Sequence, residues 1–387
     1  MIVDRAWAER NLGYDPVARK PPAETFALKK AAAPNAKPED YQREMIDFDS
    51  EGPEGTALFA FSKATGLSRY TDIPWPKAIA PKTGGKPGKG SGPLPRADVL
   101  VVTWTVDEGH ALSRVLTPGK DSSNDYVHYT HNYAKIAKTM SRRSPAVMLK
   151  RLGTYWTCTI GEKKVIVFKS DSHMSQDTDK HLPKNDVLPN AVVWKQIVEE
   201  VQPKLVITTG TGGGIGKQFE VGDVIVSPYV HFVSRKWLKK APYAAGVYKG
   251  SAPKTKFFAT AQKLFKINAK QLPPDNTRPP KIIKSTGVST SVATTDFFGF
   301  DTSENFYKLW KLGDLSEMGD AVLGLVMKQM GAKAPHWICV RNVSDPQIKK
   351  ENMNINQQAN MAAAIYKHFG RWSSVCSAIV CWALIAA

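Results

Sequence analysis

The sequence predicts an α/β fold with a central sheet and helices on both of its faces. Short, continuous apolar runs of the kind that form buried parallel strands recur from residue 97 onward. Segments with the apolar spacing of helices lie between them, and this alternation is typical of α/β proteins. With 42% hydrophobic and 10% aromatic residues, the 387-residue chain can form a real core, which excludes a wholly disordered protein.

The first strand of this sheet is predicted at 97–104 (ADVLVVTW), and a helix begins in the segment DEGHALSRVL that follows it. Further buried strands are predicted at 163–168, 204–209, 223–227 and 336–343. Helices are predicted at 190–201 with Asn190 as the N-cap, and at 317–330, 356–368 and 372–384.

Residues 1–96 differ in composition from the rest of the chain. Residues 1–81 are rich in Pro and Ala and predict an N-terminal arm or extension with one short strand at 57–62. The segment 82–96 (KTGGKPGKGSGPLPR) predicts a flexible linker or a long exposed loop. The principal domain is therefore predicted over 97–387.

The net charge of +18 is concentrated in one segment, because residues 235–284 contain 13 Lys or Arg and a single acid, Asp275. Such a basic insertion predicts a site for a polyanion, either nucleic acid, an anionic surface or nucleotide phosphates. The alternative is a solvated segment that keeps the protein soluble, since no zinc finger, basic zipper or RNA-recognition signature accompanies the charge.

The four cysteines form no CxxC pair, so neither a disulfide scaffold nor a structural zinc site is expected. No metal or organic cofactor is expected either. The N-terminus lacks the apolar core of a signal peptide, and the apolar stretch 375–387 is too short to span a bilayer. We expect a cytoplasmic protein, with 375–387 as a core helix or part of a subunit interface.

A glycine-rich segment, TGTGGGIG, follows the strand at 204–209. At the carboxyl end of a parallel strand, glycines let the backbone approach a ligand closely. The segment is not a P-loop, because no Lys-Ser/Thr follows, and it is not a Rossmann fingerprint, because the next element, FEVGDVIVS, is a strand. The alternative is a tight structural turn. The candidate binding residues here are Gly210, Thr211, Gly212 and Gly213.

The longer run TTGTGGGIGKQFEVGDVIVSPYV resembles the nucleoside phosphorylase/nucleosidase superfamily, which includes purine nucleoside phosphorylases. TVDEGHAL at 105–112 and LSEMGDAV…HWICVRNVSD at 315–345 are similar to segments of methylthioadenosine/S-adenosylhomocysteine nucleosidases. The resemblance covers about residues 97–385. It implies a three-layer phosphorylase-like fold with a central mixed sheet flanked by helices, a homo-oligomer, and action on the N-glycosidic bond of a nucleoside. Relatives also occur as effectors in antiphage systems.

The resemblance implies a catalytic role for two carboxylates. Asp345 would protonate the leaving base, with Ser344 and Arg341 orienting it, whereas Glu108 would be the general base that activates water. The alternatives are a turn residue before Pro346 for the first, and an acid at a helix N-terminus for the second.

The resemblance also implies substrate contacts. Glu317, Met318 and Asp320 would surround the sugar, although Gly319 occupies the position at which the family has a ribose-binding glutamate. Phe297 or Phe298 would stack on the base, and Thr211 would hydrogen-bond the nucleophile or the sugar.

Three functions remain open from the sequence. Hydrolysis of an adenosine-like purine nucleoside or nucleotide is favoured, because Thr208 stands where phosphorylases of the superfamily carry a phosphate-binding arginine. The first alternative is a phosphate-dependent phosphorylase, with phosphate held by Arg235 and Lys236 or by cations of a neighbouring subunit. The second is a non-catalytic nucleotide sensor that binds nucleic acid or a partner through 235–284.

Overall fold

A computed structural model describes most of the chain. The strand predicted at 57–62 and most of the predicted N-terminal arm lie outside the described residues, as do Phe298 and Lys236. The described residues are 1–12, 15, 73–178, 187–235, 238–240, 242–243, 246–268, 275–297, 299–302, 304–350 and 352–387.

The fold is α/β, with a central mixed sheet flanked by helices, as predicted. Within the described residues, thirteen strands form this sheet and two short strands, β1 and β15, pair separately. The strands are β1 Ile2–Val3, β2 Lys82–Thr83, β3 Val99–Thr103, β4 Val127–Tyr129, β5 Gly153–Ile160, β6 Lys163–Ser170, β7 Leu205–Gly214, β8 Val224–Ser227, β9 Tyr229–Val233, β10 Val247–Lys249, β11 Ile282–Lys284, β12 Val292–Thr295, β13 Leu315–Glu317, β14 His336–Asp345 and β15 Gln347–Ile348. The α-helices are α1 Arg5–Leu12, α2 Val106–Leu116, α3 Tyr133–Ile136, α4 Pro145–Leu149, α5 Pro189–Val201, α6 Phe258–Asn268, α7 Asp320–Met330 and α8 Ile355–Ala386.

Four parallel strands form the centre of the sheet in the order β14, β7, β3 and β6. Every residue of β3 is buried, which explains its unbroken apolar and β-branched sequence. Because the four strands are parallel, the segments that follow them meet at one edge of the sheet. Ligands bind at this carboxyl edge in open α/β sheets.

The glycine-rich segment belongs to β7 as far as Gly214 and is not the loop that the sequence predicts. β14 pairs with β7 in parallel from His336 opposite Leu205 to Asp345 opposite Gly213, with one irregularity after Val343. At Gly214, β7 also pairs with the antiparallel β13. Pairing with β14 and β13 thus keeps the glycines of β7 extended, although glycine could also adopt the conformation of a turn.

The two C-terminal helices predicted at 356–368 and 372–384 are one helix, α8. Gly370 does not interrupt it, since its backbone packs against the Tyr366 ring, where a Cβ would lie 3.1 Å from the ring. α8 is long and apolar enough to cross a membrane by length and composition alone, but 89% of its most apolar window is buried inside the protein. Its Trp372 and Trp382 side chains are fully buried, as in a core helix.

The basic segment 235–284 contributes to the sheet and the core and is therefore not an appended insertion. β10 pairs with β9, and β11 pairs with β8. Leu238 and Phe265 are fully buried. One of its cations, Arg278, forms an ion pair of 2.5 Å with the buried carboxylate of Asp223.

The segment 82–96, predicted as a flexible linker, is attached to the domain. Lys82 and Thr83 pair with β5. Farther along, the buried Leu94 donates its backbone N–H to Glu200 over 2.7 Å. The domain boundaries themselves stay a prediction.

Two predicted helix starts differ from the structure. The segment predicted to begin a helix at residue 317 first completes β13, and the helix begins at Asp320 after Gly319. α5 is preceded by Leu188 as its N-cap, with Pro189 at its first turn, where the missing N–H of proline costs nothing. Asn190 is therefore not the N-cap, and its amide donates to the Ser172 carbonyl over 3.0 Å.

Candidate active site

A cavity of about 800 Å³, measured to its open mouth, lies at the carboxyl edge of the parallel strands. All three predicted motifs reach it. Of the predicted site residues, Glu108, Thr211, Gly212, Gly213, Glu317, Met318, Arg341, Ser344 and Asp345 line it.

Glu108 lies in the first turn of α2, directly after β3. Its backbone N–H and carboxylate form a capping box with Thr105, so the helix start fixes the carboxylate next to the sheet. One oxygen, Oε2, accepts hydrogen bonds from the Thr103 hydroxyl and from the backbone N–H groups of Trp104 and Thr105, at 2.8–3.0 Å. The other, Oε1, accepts from the N–H and hydroxyl of Thr211, both at 2.7 Å.

This environment keeps Glu108 ionised. Burial disfavours its charge, but the nearby Arg341 guanidinium and the hydrogen bonds from Thr211 and Thr105 outweigh that effect and hold its pKa below the usual value. Glu108 is therefore a carboxylate at neutral pH, as a general base requires.

Two glycines of β7 allow the carboxyl groups to approach the strand. At Gly210, where φ is +150°, a Cβ would lie 2.5 Å from the carboxyl carbon of Glu108. At Gly213, a Cβ would lie 3.0 Å from Oδ2 of Asp345. The missing side chain of Gly210 therefore leaves room for the Glu108 carboxylate. Gly210 itself is not among the described residues that line the cavity.

Asp345 terminates β14, and its surroundings oppose ionisation. Its Oδ1 accepts a hydrogen bond of 2.8 Å from the Ser344 hydroxyl, whereas its buried Oδ2 has no hydrogen-bond partner among the described residues. Burial raises the pKa of Asp345 to about 7, and the Ser344 hydrogen bond only partly offsets this effect. A buried carboxyl group with an unused oxygen at a cavity wall can hold a proton and deliver it to a ligand.

The carboxylates at the start of α7 have partners inside the protein. Arg341 binds Asp320 through two hydrogen bonds of 2.6 and 2.9 Å, which turn Asp320 away from the cavity. Asp320 is therefore not the sugar ligand that the sequence suggests. Glu317 does line the cavity, and burial together with the neighbouring Asp320 raises its pKa. The Gly319 position faces Trp104, 3.5 Å from where a Cβ would lie.

Phe297 is not a base-stacking residue in this structure. It packs in a small core cluster with Ile215 and Leu309 and stacks on Tyr307 at 5.4 Å between ring centroids. It lies behind Gly299, which faces the cavity in its place. Phe298, the other candidate, lies outside the described residues.

Seven side chains at the cavity were not among the site residues identified from the sequence: Trp104, Thr105, His173, Met174, Thr295, Ser316 and Tyr366. Trp104 follows β3 and holds the Arg341 guanidinium 4.6 Å from the centre of its ring. His173 and Met174 follow β6, and Tyr366 of α8 donates a hydrogen bond of 3.1 Å to the Thr105 hydroxyl. The one available signal was position, since Trp104, His173 and Met174 all come directly after buried parallel strands.

In the described part of the chain, no group of three or more His, Cys, Asp or Glu residues is placed to hold a metal ion.

A family model described as the phosphorylase superfamily matches residues 130–369, more than half of the chain. The chain belongs to this superfamily. The membership agrees with the mixed sheet and with the resemblance recognised in the sequence motifs. No curated protein sequence matches this superfamily member.

Three solved structures of nucleosidases are similar to this chain at low sequence identity. Methylthioadenosine/S-adenosylhomocysteine nucleosidase of Neisseria meningitidis, bound to methylthio-immucillin-A, is 14% identical over 75% of this chain and 99% of its own, with a TM-score of 0.45. Futalosine hydrolase of Helicobacter pylori is 12% identical over 74% and 96%, also with a TM-score of 0.45. S-adenosylhomocysteine nucleosidase of Streptococcus pyogenes is 16% identical over 76% and 98%, again at 0.45.

Proposed function

We propose that the protein hydrolyses the N-glycosidic bond of an adenosine-like purine nucleoside or nucleotide. The observation that carries the proposal is the pair of carboxyl groups at one cavity, of which Glu108 is ionised and Asp345 retains its proton near pH 7. Environments that drive two pKa values apart in this way assign one group as the base and the other as the acid.

In the proposed reaction, the bond between the sugar C1′ and the purine nitrogen breaks, and its electron pair leaves with the base. Asp345 donates its proton to the departing purine, and water forms the new bond to C1′. Glu108 accepts the proton of this water and stabilises the cationic sugar. Both carboxyl groups then exchange protons with solvent, so the net reaction is nucleoside plus water to free base plus free sugar.

A low pKa does not prevent Glu108 from acting as the base. The electrophile is an oxocarbenium-like sugar, so the water becomes strongly acidic as it attacks, and a weak base is sufficient. The hydrogen bonds from Thr211 and the capping box fix the carboxylate in one orientation, which favours a single position for the water.

The charge of the cavity supports water rather than phosphate as the nucleophile. Among the described lining residues, the cavity has one permanent cation, Arg341, and that cation is paired with Asp320. A phosphate ion would also meet the ionised Glu108. Thr208, at the position of the phosphate-binding arginine of phosphorylases, is fully buried in β7 and not part of the lining.

The decisive experiment incubates the purified full-length protein with adenosine, methylthioadenosine, AMP and ATP, with and without phosphate, and separates the products by chromatography and mass spectrometry. Free base and free sugar, formed at the same rate without phosphate, are the expected products. Base and sugar 1-phosphate, formed only with phosphate, would establish phosphorolysis instead.

We also propose that the protein is a cytoplasmic homo-oligomer and that residues 235–284 bind a polyanion.

A further inference from the structure

The order of the strands gives the cavity a direction. Asp345 lies at the end of β14, Thr211 is in β7, Trp104 follows β3, and His173 follows β6. Neighbouring strands lie about 4.8 Å apart, so three spacings separate the ends of this row by about 14 Å. Side chains that project from both ends shorten this distance. The length that remains suits an elongated ligand such as a nucleoside, lying across the four strand ends.

The proposed function fixes which end of a nucleoside lies where, and the inference below depends on it. The base must reach Asp345, and the reacting carbon must lie near Glu108, which bridges the ends of β3 and β7. The part of the sugar farthest from the base, its 5′ carbon, is then directed toward the end of β6, where His173 and Met174 line the cavity.

The segment after β6 is held rigidly by hydrogen bonds. The Ser172 N–H donates to the Ser170 hydroxyl over 3.1 Å, and the Ser172 carbonyl accepts from the Asn190 amide over 3.0 Å. The Ser172 hydroxyl donates to the buried Asp177 over 2.5 Å. His173 is therefore presented to the cavity by a fixed backbone and not by a free loop.

No unpaired positive charge faces this end of the cavity among the described residues. The nearby cations, Lys169 and Arg151, both bind the buried Asp171, and the Arg151 ion pair measures 2.7 Å. Burial, reinforced by Lys169, lowers the pKa of His173 to about 4, so its imidazole is neutral at physiological pH. A 5′-phosphate here would lose its hydration without gaining a cation from the described residues, whereas a hydroxyl would find a hydrogen-bond partner.

We infer that His173 is a specificity-determining residue that hydrogen-bonds the 5′-hydroxyl of the substrate, so that the protein selects uncharged nucleosides over 5′-nucleotides. This inference narrows the proposed substrate class. It also implies that the basic segment does not bind the substrate in this cavity, because none of the described residues of 235–284 lines it.

The test compares kcat/KM for adenosine, 5′-deoxyadenosine and AMP. The wild-type protein is expected to cleave adenosine at least about 100-fold more efficiently than AMP. His173→Leu should lower kcat/KM for adenosine by about 3- to 10-fold, the worth of one neutral hydrogen bond, and should leave 5′-deoxyadenosine within about twofold. His173→Gln, which keeps a hydrogen-bonding group, should recover part of the loss. Met174→Leu is the matched control on the same wall, and it should leave the ratio of adenosine to 5′-deoxyadenosine unchanged.

Two results would overturn the inference: AMP cleaved as efficiently as adenosine by the wild-type protein, or an equal loss for adenosine and 5′-deoxyadenosine in His173→Leu. If the wild-type protein releases base from no compound, the proposed function fails, and calorimetry of adenosine and AMP binding then tests the inference by itself. Tighter binding of adenosine, weakened in His173→Leu, would support it. Equal or tighter binding of AMP, or binding of neither compound, would refute it.

Discussion

Glu108 and Asp345 carry the same functional group on two sides of one cavity, and their surroundings differ in almost every respect. Among the described residues, Glu108 accepts five hydrogen bonds and lies near a guanidinium, whereas Asp345 accepts one hydrogen bond and has no cation beside it. Both are buried, so burial alone does not decide the protonation state. The number of donors and the position of Arg341 decide it.

The contrast between Glu108 and Asp345 predicts its largest effect when the acidic proton of Asp345 is removed. Asp345→Asn keeps the shape of the side chain but cannot donate an acidic proton, so kcat/KM should fall by about 10³-fold. The measurement is the initial rate of base release. Asp314→Asn is the matched control, because burial also raises the pKa of Asp314, to about 6, but this residue lies outside the cavity lining. Equal losses in the two variants would remove Asp345 from the mechanism.

The opposite side is tested by Glu108→Gln. The amide presents N–H groups to a site built only from donors, so we expect a loss of about 10²-fold in kcat/KM. The mispaired amide should also lower the free energy of unfolding by about 1–3 kcal/mol. Chemical denaturation measures this second effect. Full activity of Glu108→Gln would show that the role of Glu108 is limited to capping the start of α2.

The difference in pKa predicts an asymmetric pH profile. Asp345 must be protonated, so kcat/KM should fall about tenfold per pH unit above its pKa of about 7. Glu108 must be ionised and its pKa is lowered, so no loss is expected on the acid side until well below pH 5. The profile of kcat/KM from pH 5 to 9 measures the alkaline fall and checks that the rate stays level on the acid side. An optimum that rises toward pH 9 would contradict the assignment of the acid.

The smallest effects are expected from two glycines that differ in the space around them. Gly210→Ala places a methyl group against the Glu108 carboxylate at a positive φ and should destabilise the protein by about 1–3 kcal/mol. Gly319→Ala meets only ordinary contacts near Trp104, so its melting temperature should remain within about 2 °C of the wild type. Similar melting temperatures for the two variants would show that Glu108 is not held against β7.

The sequence was most informative where a motif combines an element boundary with a reactive side chain. Glu108 and Asp345 each stand next to a buried strand, so their convergence at one edge of the sheet could be predicted. Asp320 could not be placed, because only the folded chain shows that Arg341 binds it. Phe297 was predicted wrongly, since an aromatic residue near a cavity and one behind it look alike in a sequence.

The roles of His173 and Gly370 could not be predicted, because they depend on neighbours that are distant in the sequence or on packing within the folded helix. His173 follows a strand without any motif, and its role depends on the ion pairs of Asp171 around it. Two C-terminal helices were predicted where there is one, because Gly370 has a packing role against Tyr366 that its low helix propensity conceals.

The unbroken length of α8 couples the candidate active site to the integrity of the whole domain. At 1.5 Å per residue its 32 residues extend about 48 Å. Tyr366, the twelfth of these residues, donates a hydrogen bond to the Thr105 hydroxyl next to Glu108, whereas the Ile385 carbonyl, in the last turn, accepts one from Lys163 at the start of β6. Loosening the last turns of α8 therefore also weakens the support of the carboxylate, so thermal inactivation and loss of tertiary structure should share one midpoint.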